Sequence, residues 1–265
     1  MTAQRLSRLI ASGDVDAVRT AVTDSPRLLA VTVERDGQSR WTPLHLAVAD
    51  GQADVARVLV EAGADLTART EFNRTPLHLA LQFQPDLVPL LRELGATVDA
   101  PSAAYLGDVD QLTRHLDDGA DPDDRSSGVD LLSWAAFGGA APTAKLLLER
   151  GADANTGALH FAAGGARLEL VRLLLEAGAD VDRRDPDTGR APLHAAVAAG
   201  PAGDAPEIVK VLLAAGADAN ATTNDGASAL DMSRVAAARH RRNDAGQATG
   251  NDALAELLVA HGATD

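Results

Sequence analysis

A Gly-Ala step recurs seven times along this chain, and it limits the possible folds more than any other feature. It closes units at Gly63, Gly95, Gly119, Gly151, Gly178, Gly216 and Gly262, with aspartate next at Asp65, Asp121, Asp153, Asp180 and Asp218. A second marker opens units: Thr42-Pro43-Leu44-His45, Thr75-Pro76-Leu77-His78 and Ala191-Pro192-Leu193-His194, with weaker copies at Ala158-Leu159-His160 and Ala229-Leu230-Asp231. Between the markers the apolar residues keep helical spacing, as in Leu44, Ala47 and Val48, then Val55, Val58 and Leu59 after Gly51. Two short stripes parted by glycine predict a helix-turn-helix pair. Gly51 and Gly63 stand where left-handed helix-ending residues belong, and Pro43 falls in a first helical turn, where its missing N–H costs nothing. A unit repeated in this way buries its apolar face against the next copy of itself.

The linked set of TPLH, a glycine turn, a second helix and GAD, at a period of about 33 residues, resembles the ankyrin repeat over nearly the whole chain. The resemblance implies an all-α solenoid in which paired antiparallel helices and β-turn fingers form L-shaped units stacked side by side. About eight units fit, caps included, as a single domain over 1–265. Residues 1–35 form an N-terminal capping unit, with stripes Leu6, Leu9, Ile10 and Val15, Val18, Val22 but no TPLH. Six internal repeats span 36–221. A C-terminal capping unit spans 222–265; in it Asp231 replaces the histidine, and a polar insertion at 239–251 is expected as a loop.

Departures from the period carry information. The Gly-Ala spacings run 32, 24, 32, 27, 38 and 46. The two short ones lose residues in the same place, so the fingers are expected to be truncated near 97–101 and 154–157. Of seven aromatic residues, Trp41 and Phe72 fall at finger positions, while Phe83, Tyr105 and Phe137 fall near the end of a first helix. In the family those positions line the concave face. Trp134 and Phe161 occupy the slot after the TPLH histidine, which packs between repeats. Trp41, Phe72, Phe83, Tyr105 and Phe137 are therefore the candidate partner-binding residues, in repeats two to five. Core filling is the competing reading, since aromatics at helical spacing are commonly interior.

Composition excludes several chemistries. No cysteine is present, so there is no disulfide framework, thiolate zinc site or thiol nucleophile. A net charge of -14 argues against phosphate backbones as partners and favours another protein with a basic or mixed surface. The opening residues lack the apolar run of a signal peptide, and no stretch reaches the ~18 apolar residues of a membrane span. A cytoplasmic monomer, with no nucleic-acid or membrane partner, is expected. Only Lys145 and Lys210 are lysines; this arginine and alanine bias suggests a GC-rich bacterial source, with a halophile as the alternative.

The TPLH histidines, His45, His78, His160 and His194, occur one per unit. Stacked helices lie ~8–10 Å apart, too far for shared zinc ligation at ~2 Å. Family resemblance gives these rings a hydrogen bond to the finger backbone instead. The aspartate clusters, Asp117, Asp118, Asp121, Asp123, Asp124 and Asp180, Asp182, Asp185, Asp187, lack the glycine and distal glutamate of a calcium loop and read as solvated turns. The basic run Arg234, Arg239, His240, Arg241, Arg242 reads as solvated surface. No nucleophile elbow, phosphate loop or HExxH pair occurs, so no catalytic residue, metal or cofactor is assigned. The expected function is a non-enzymatic protein-protein interaction scaffold. Two alternatives stay open: a small-molecule or enzymatic site in the aromatic notch near Tyr105, and a partner that binds at 239–251.

Overall fold

The computed structural model describes residues 2–35, 37–243 and 250–264, the side chains of 239–243 excepted. Among these residues there are sixteen α-helices in eight helix-turn-helix pairs, together with one two-stranded hairpin. The pairs are α1 (Ala3–Ala11) with α2 (Val15–Asp24), α3 (Pro43–Ala49) with α4 (Ala53–Glu61), α5 (Pro76–Phe83) with α6 (Val88–Glu93), and α7 (Ala100–Leu106) with α8 (Val109–Asp117). Then come α9 (Leu131–Gly138) with α10 (Ala141–Glu149), α11 (Ala158–Gly164) with α12 (Leu168–Glu176), α13 (Pro192–Ala198) with α14 (Ala205–Ala214), and α15 (Ala229–Asn243) with α16 (Gly250–Ala260). The hairpin, β1 (Val33–Arg35) and β2 (Gln38–Trp41), is antiparallel and pairs Val33 with Trp41. The all-α repeat solenoid implied by the sequence markers is the observed architecture.

The opening tetrapeptide explains why each first helix starts where it does. The Thr42 hydroxyl accepts from the His45 amide (3.4 Å) while His45 Nδ1 accepts from the Thr42 amide (3.2 Å). This is a reciprocal capping box with an imidazole where glutamate usually sits. Thr75 and His78 repeat it at 3.3 and 3.3 Å. Where TPLH has decayed, the cap chemistry survives in other residues. Asp130 accepts from the Ser133 amide (2.7 Å) and hydroxyl (2.8 Å) to start α9. Asp231 accepts from the Ser228 amide (2.9 Å) and hydroxyl (2.7 Å) to start α15. At the other end Gly51 and Gly63 adopt φ 71° and 99°, the left-handed conformation that lets the last carbonyls find partners.

The chain divides into two compact units, residues 1–102 with 124–128 and residues 103–123 with 129–265. In the N-terminal unit α1 packs on α3 and α3 on α5, with α2 on α4. In the C-terminal unit α9, α11, α13 and α15 pack in succession, as do α8, α10, α12, α14 and α16. Large and small residues alternate in both cores: Leu44, Leu77, Leu131 and Leu193 are buried beside the fully buried Ala47, Ala80, Ala135 and Ala162. Burying one such leucine contributes about 1.5–3 kcal/mol before ordering costs.

Two expectations meet the structure at the irregular places. The finger before α7 is reduced to residues 96–99, and the one before α11 to a run of bends ending at Gly157. The expected loop at 239–251 is corrected: α15 continues through Asn243, and α16 already begins at Gly250. Alanine and arginine between 236 and 242 are good helix formers, and they extend the helix past the point where the polar composition suggested a break. The centre of that expected loop, 244–249, lies outside the described residues.

Candidate functional site

In the N-terminal unit the structure replaces a missing finger with a carboxylate. His45 Nδ1 is an acceptor, so its Nε2–H donates, and it meets the Arg74 carbonyl of the following finger at 3.0 Å. His160 does the same with the Arg190 carbonyl at 2.8 Å. His78 has no such finger ahead of it. Its Nε2 donates instead to Asp99 Oδ1 at 2.8 Å. Asp99 also accepts from the Ser102 hydroxyl (2.8 Å) and amide (3.2 Å), which caps α7, and lies 3.4 Å from Arg69. Burial pushes the Asp99 carboxyl up, but the His78 hydrogen bond and the Ser102 donors together hold it well below the usual carboxylate range. Burial also explains the His45 pKa, lowered to about 4 against weaker support from the Arg74 carbonyl. These rings are parts of the scaffold, locked by packing and backbone.

The same holds for the acidic turns of the C-terminal unit. Asp123 accepts from the Asp153 amide (2.8 Å), Asn155 from the Asp180 amide (2.8 Å), Asp182 from the Asp218 amide (3.0 Å) and Asn220 from the Thr264 amide (2.8 Å). Within each finger the aspartate bonds two residues ahead, as Asp180 does to the Asp182 amide at 3.0 Å. Carboxylates that are expensive to crowd are thus spaced along a ladder of backbone donors.

The aromatic residues divide into three settings. In the N-terminal unit, Trp41 is only 6% exposed, which corrects its expected place on an open face. The hairpin folds the ring inward: the Arg35 guanidinium lies 5.4 Å above it, and the His45 ring meets it edge-on at 6.2 Å. Phe72 is 47% exposed on its finger, and Phe83 is 54% exposed at the end of α5. Phe83 and one face of Trp41 share a groove of about 400 Å³ with Arg35, Arg74 and Leu79.

In the C-terminal unit three rings form a row. Tyr105, half-buried near the end of α7, lies 5.7 Å from Phe137 near the end of α9, and Phe137 lies 5.6 Å from Phe161 on α11. These tilted and edge-on pairings are within the range in which aromatic rings attract. Phe137 is 38% and Phe161 36% exposed. Trp134 supports the row from beneath at 6.2 Å from Tyr105 and is itself buried. Burial raises the Tyr105 hydroxyl pKa, partly offset by the charge of Arg167. Backbone closeness makes the row possible, because Gly138 sits against the Tyr105 carbonyl with no room for a side chain: a Cβ there would lie 2.1 Å from that oxygen.

Tyr105 and Phe137 are therefore brought together as neighbours, while Phe72 and Phe83 belong to the N-terminal unit. Phe161 is the residue that sequence reasoning missed. The slot after the histidine normally faces the next repeat, but the shortened finger before α11 leaves Gly157, whose Cβ position lies 3.4 Å from the Phe161 ring. A glycine four residues ahead of an aromatic, beside a truncated finger, was the available signal. His115, in the same repeat as Tyr105, sits on the second helix α8. Among the described residues, no three His, Cys, Asp or Glu side chains are grouped so that they could hold a metal ion, and no helix is long and apolar enough to cross a membrane.

Comparison with known proteins places this geometry in a group. A family model described as "Ankyrin repeats (3 copies)" matches residues 6–102, 100–185, 132–225 and 159–264. Protein phosphatase 1 regulatory subunit 27 of Homo sapiens is 38% identical over 94 residues, which cover 36% of this chain and 56% of that protein. NF-kappa-B inhibitor alpha of Sus scrofa is 32% identical over 114 residues, covering 43% and 31%. Protein fem-1 homolog C of Bos taurus is 36% identical over 99 residues, covering 30% and 16%. The chain spans about half the length of the first of these relatives and less of the others.

Proposed function

We propose that this chain, which belongs to the ankyrin-repeat family, is a non-enzymatic scaffold that binds another protein through the first-helix and finger face of repeats two to five. Ankyrin repeats generally mediate protein-protein interaction, and the curated relatives carry names of a regulatory subunit and an inhibitor. The observation that carries the reading is the aromatic row. Phe137 in repeat five and Phe161 in the repeat that follows hold more than a third of their surface in water although the two rings pack on each other, and Phe137 also packs on Tyr105. Exposed, mutually supported rings are costly to leave wet and are the usual anchors of interfaces. Phe72 and Phe83 offer the same kind of surface in the N-terminal unit. The excess of acidic residues favours a partner whose surface is basic or mixed.

The test is a pull-down from the native host with the full chain, comparing wild type with Phe83→Ala plus Phe137→Ala. Both rings are exposed, so the double variant should keep its thermal midpoint within a few degrees. A partner anchored on them should be lost, with affinity falling by ~30-fold or more at ~2 kcal/mol for a principal anchor. Tyr105 is left intact because its ring also packs on the buried Trp134, which would mix binding with stability. A captured protein that binds the double variant as tightly as wild type would refute this surface.

A further inference from the structure

We propose that the Tyr105–Phe137–Phe161 row, with Arg167 beside it, receives a segment of the partner protein in which an acidic residue adjoins an apolar one. This rests on the interaction reading above, extends it to the sixth repeat and names the chemistry of one contact point. Two departures from the repeat meet there, one apolar and one charged. The apolar one is Phe161. The residue directly after the first-helix histidine is buried in the second and third repeats, as Leu46 and Leu79, and Trp134 is buried at the same slot of the fifth. Phe161 fills that slot but keeps its ring in water against Phe137. The next first helix, α13, carries no aromatic residue that would continue the row.

The charged departure is Arg167. A residue leading into a second helix covers the glycine turn of the preceding repeat, and at three equivalent turns it is neutral. A Cβ built at Gly13 would lie 2.8 Å from the Gln52 side chain, at Gly51 3.1 Å from Gln84, and at Gly107 3.6 Å from Ala140. At Gly139 it would lie 2.8 Å from the Arg167 Nε. Stacking is thus served by a neutral side chain, and the charge is an addition. Arg167 is exposed, and among the described residues no carboxylate pairs with it. By contrast Arg57, Arg150 and Arg172 are paired with Glu93, Asp117 and Glu207 of adjacent repeats. The Arg167 charge offsets part of the rise that burial causes in the Tyr105 hydroxyl pKa, so the guanidinium lies within electrostatic reach of the row. A partner carboxylate gains a planar fork of donors from Arg167. The apolar residue next to it covers the Phe137 and Phe161 rings. A lysine- or arginine-rich segment would meet like charge. An acidic residue is repelled by a chain with 38 acidic against 24 basic residues, so its capture beside Arg167 fixes the register of the bound segment.

The experiment selects from a phage-displayed library of random dodecapeptides on the immobilised full chain, then measures the enriched peptide by fluorescence anisotropy. Expected peptides share Asp or Glu next to Leu, Phe, Tyr or Trp. Arg167→Gln installs the side chain that Gln52 and Gln84 place at equivalent turns, so it should leave the thermal midpoint unchanged while weakening the peptide about tenfold. Replacing the peptide's acid by its amide should weaken binding about tenfold to wild type and hardly at all to Arg167→Gln, a coupling that a merely structural arginine would not show. Raised salt should weaken binding to wild type more than to Arg167→Gln. Phe161→Ala should weaken the peptide about tenfold or more. Enrichment of basic peptides, or an acid-to-amide effect equal in wild type and Arg167→Gln, overturns the proposal. Binding that survives Phe161→Ala but is lost with Phe83→Ala overturns it while leaving the interaction reading intact. Dimers of the wild-type chain in sedimentation that dissociate on Phe161→Ala would make a second copy the occupant and overturn it too. Failure to enrich any peptide overturns it, and the interaction reading falls as well if the wild-type chain also captures no protein from its host.

Discussion

Replacing Asp99 by alanine should cost the protein about 3 kcal/mol, more than its partly exposed position suggests. The side chain does three things at once. It accepts the Nε2–H of a fully buried His78 at 2.8 Å, caps α7 through the Ser102 hydroxyl and amide, and lies 3.4 Å from Arg69. Hydrogen bonds to a charged group contribute about 1.5–3 kcal/mol, and a buried donor left unpaired loses a similar amount. An N-cap contributes about 1 kcal/mol, and the ion pair to half-exposed Arg69 little. Asp99→Asn keeps an acceptor for both partners and should cost about 1 kcal/mol. Guanidinium unfolding of the full chain at pH 7, followed by far-UV circular dichroism, measures both. In a chain of this size the alanine variant should melt roughly 6–12 °C lower, at ~2–4 °C per kcal/mol. A cycle with His78→Gln should give a coupling of ~1–2 kcal/mol. The folded Asp99 carboxyl lies below its unfolded value of about 3.9. Its contribution is therefore complete above that pH and is lost as pH falls towards the folded pKa, so the alanine variant should show a flatter acid limb. A cost below about 0.5 kcal/mol for alanine, or equal costs for alanine and asparagine, would refute the idea that this carboxylate stands in for a missing finger.

Gly138→Ala should destabilise by about 2 kcal/mol and alter the near-ultraviolet signal of the aromatic row, although alanine ordinarily favours a helix, because its Cβ would lie 2.1 Å from the Tyr105 carbonyl oxygen; unchanged or raised stability would disprove that contact. His45 is neutral in the folded protein, with a pKa lowered to about 4. Its contribution is complete above about pH 6.5 and falls by roughly 3 kcal/mol as pH drops to 4. Urea titrations between those values should give a shallower pH slope for His45→Gln, and equal slopes would contradict the burial argument. Trp134→Ala should cost about 3–5 kcal/mol and Phe161→Ala under about 1, since the first ring is buried and the second is 36% exposed; similar costs in chemical denaturation would mean that the row is core after all.

The helix pairs were legible in the sequence because they are fixed by local chemistry. Thr42 and His45 close their capping box within three residues, and Gly51 and Gly63 end their helices by their own backbone preference. The aromatic face was only half legible. Phe83 is exposed and Tyr105 and Phe137 are neighbours, but Trp41 is turned inward by the strand that pairs with it, and Phe161 is turned outward over Gly157. Nor does the repeat pattern announce that Asp99 will serve His78, or that Arg35 and Arg74 will share a groove with Phe83. The repeat markers by themselves determined the helix-pair unit and the all-α repeat solenoid, because turns and helix periodicity act over a few residues. Only the tertiary structure decided which rings meet water and which charges meet each other, because burial depends on what the adjacent repeat places opposite them, some thirty residues away in the chain.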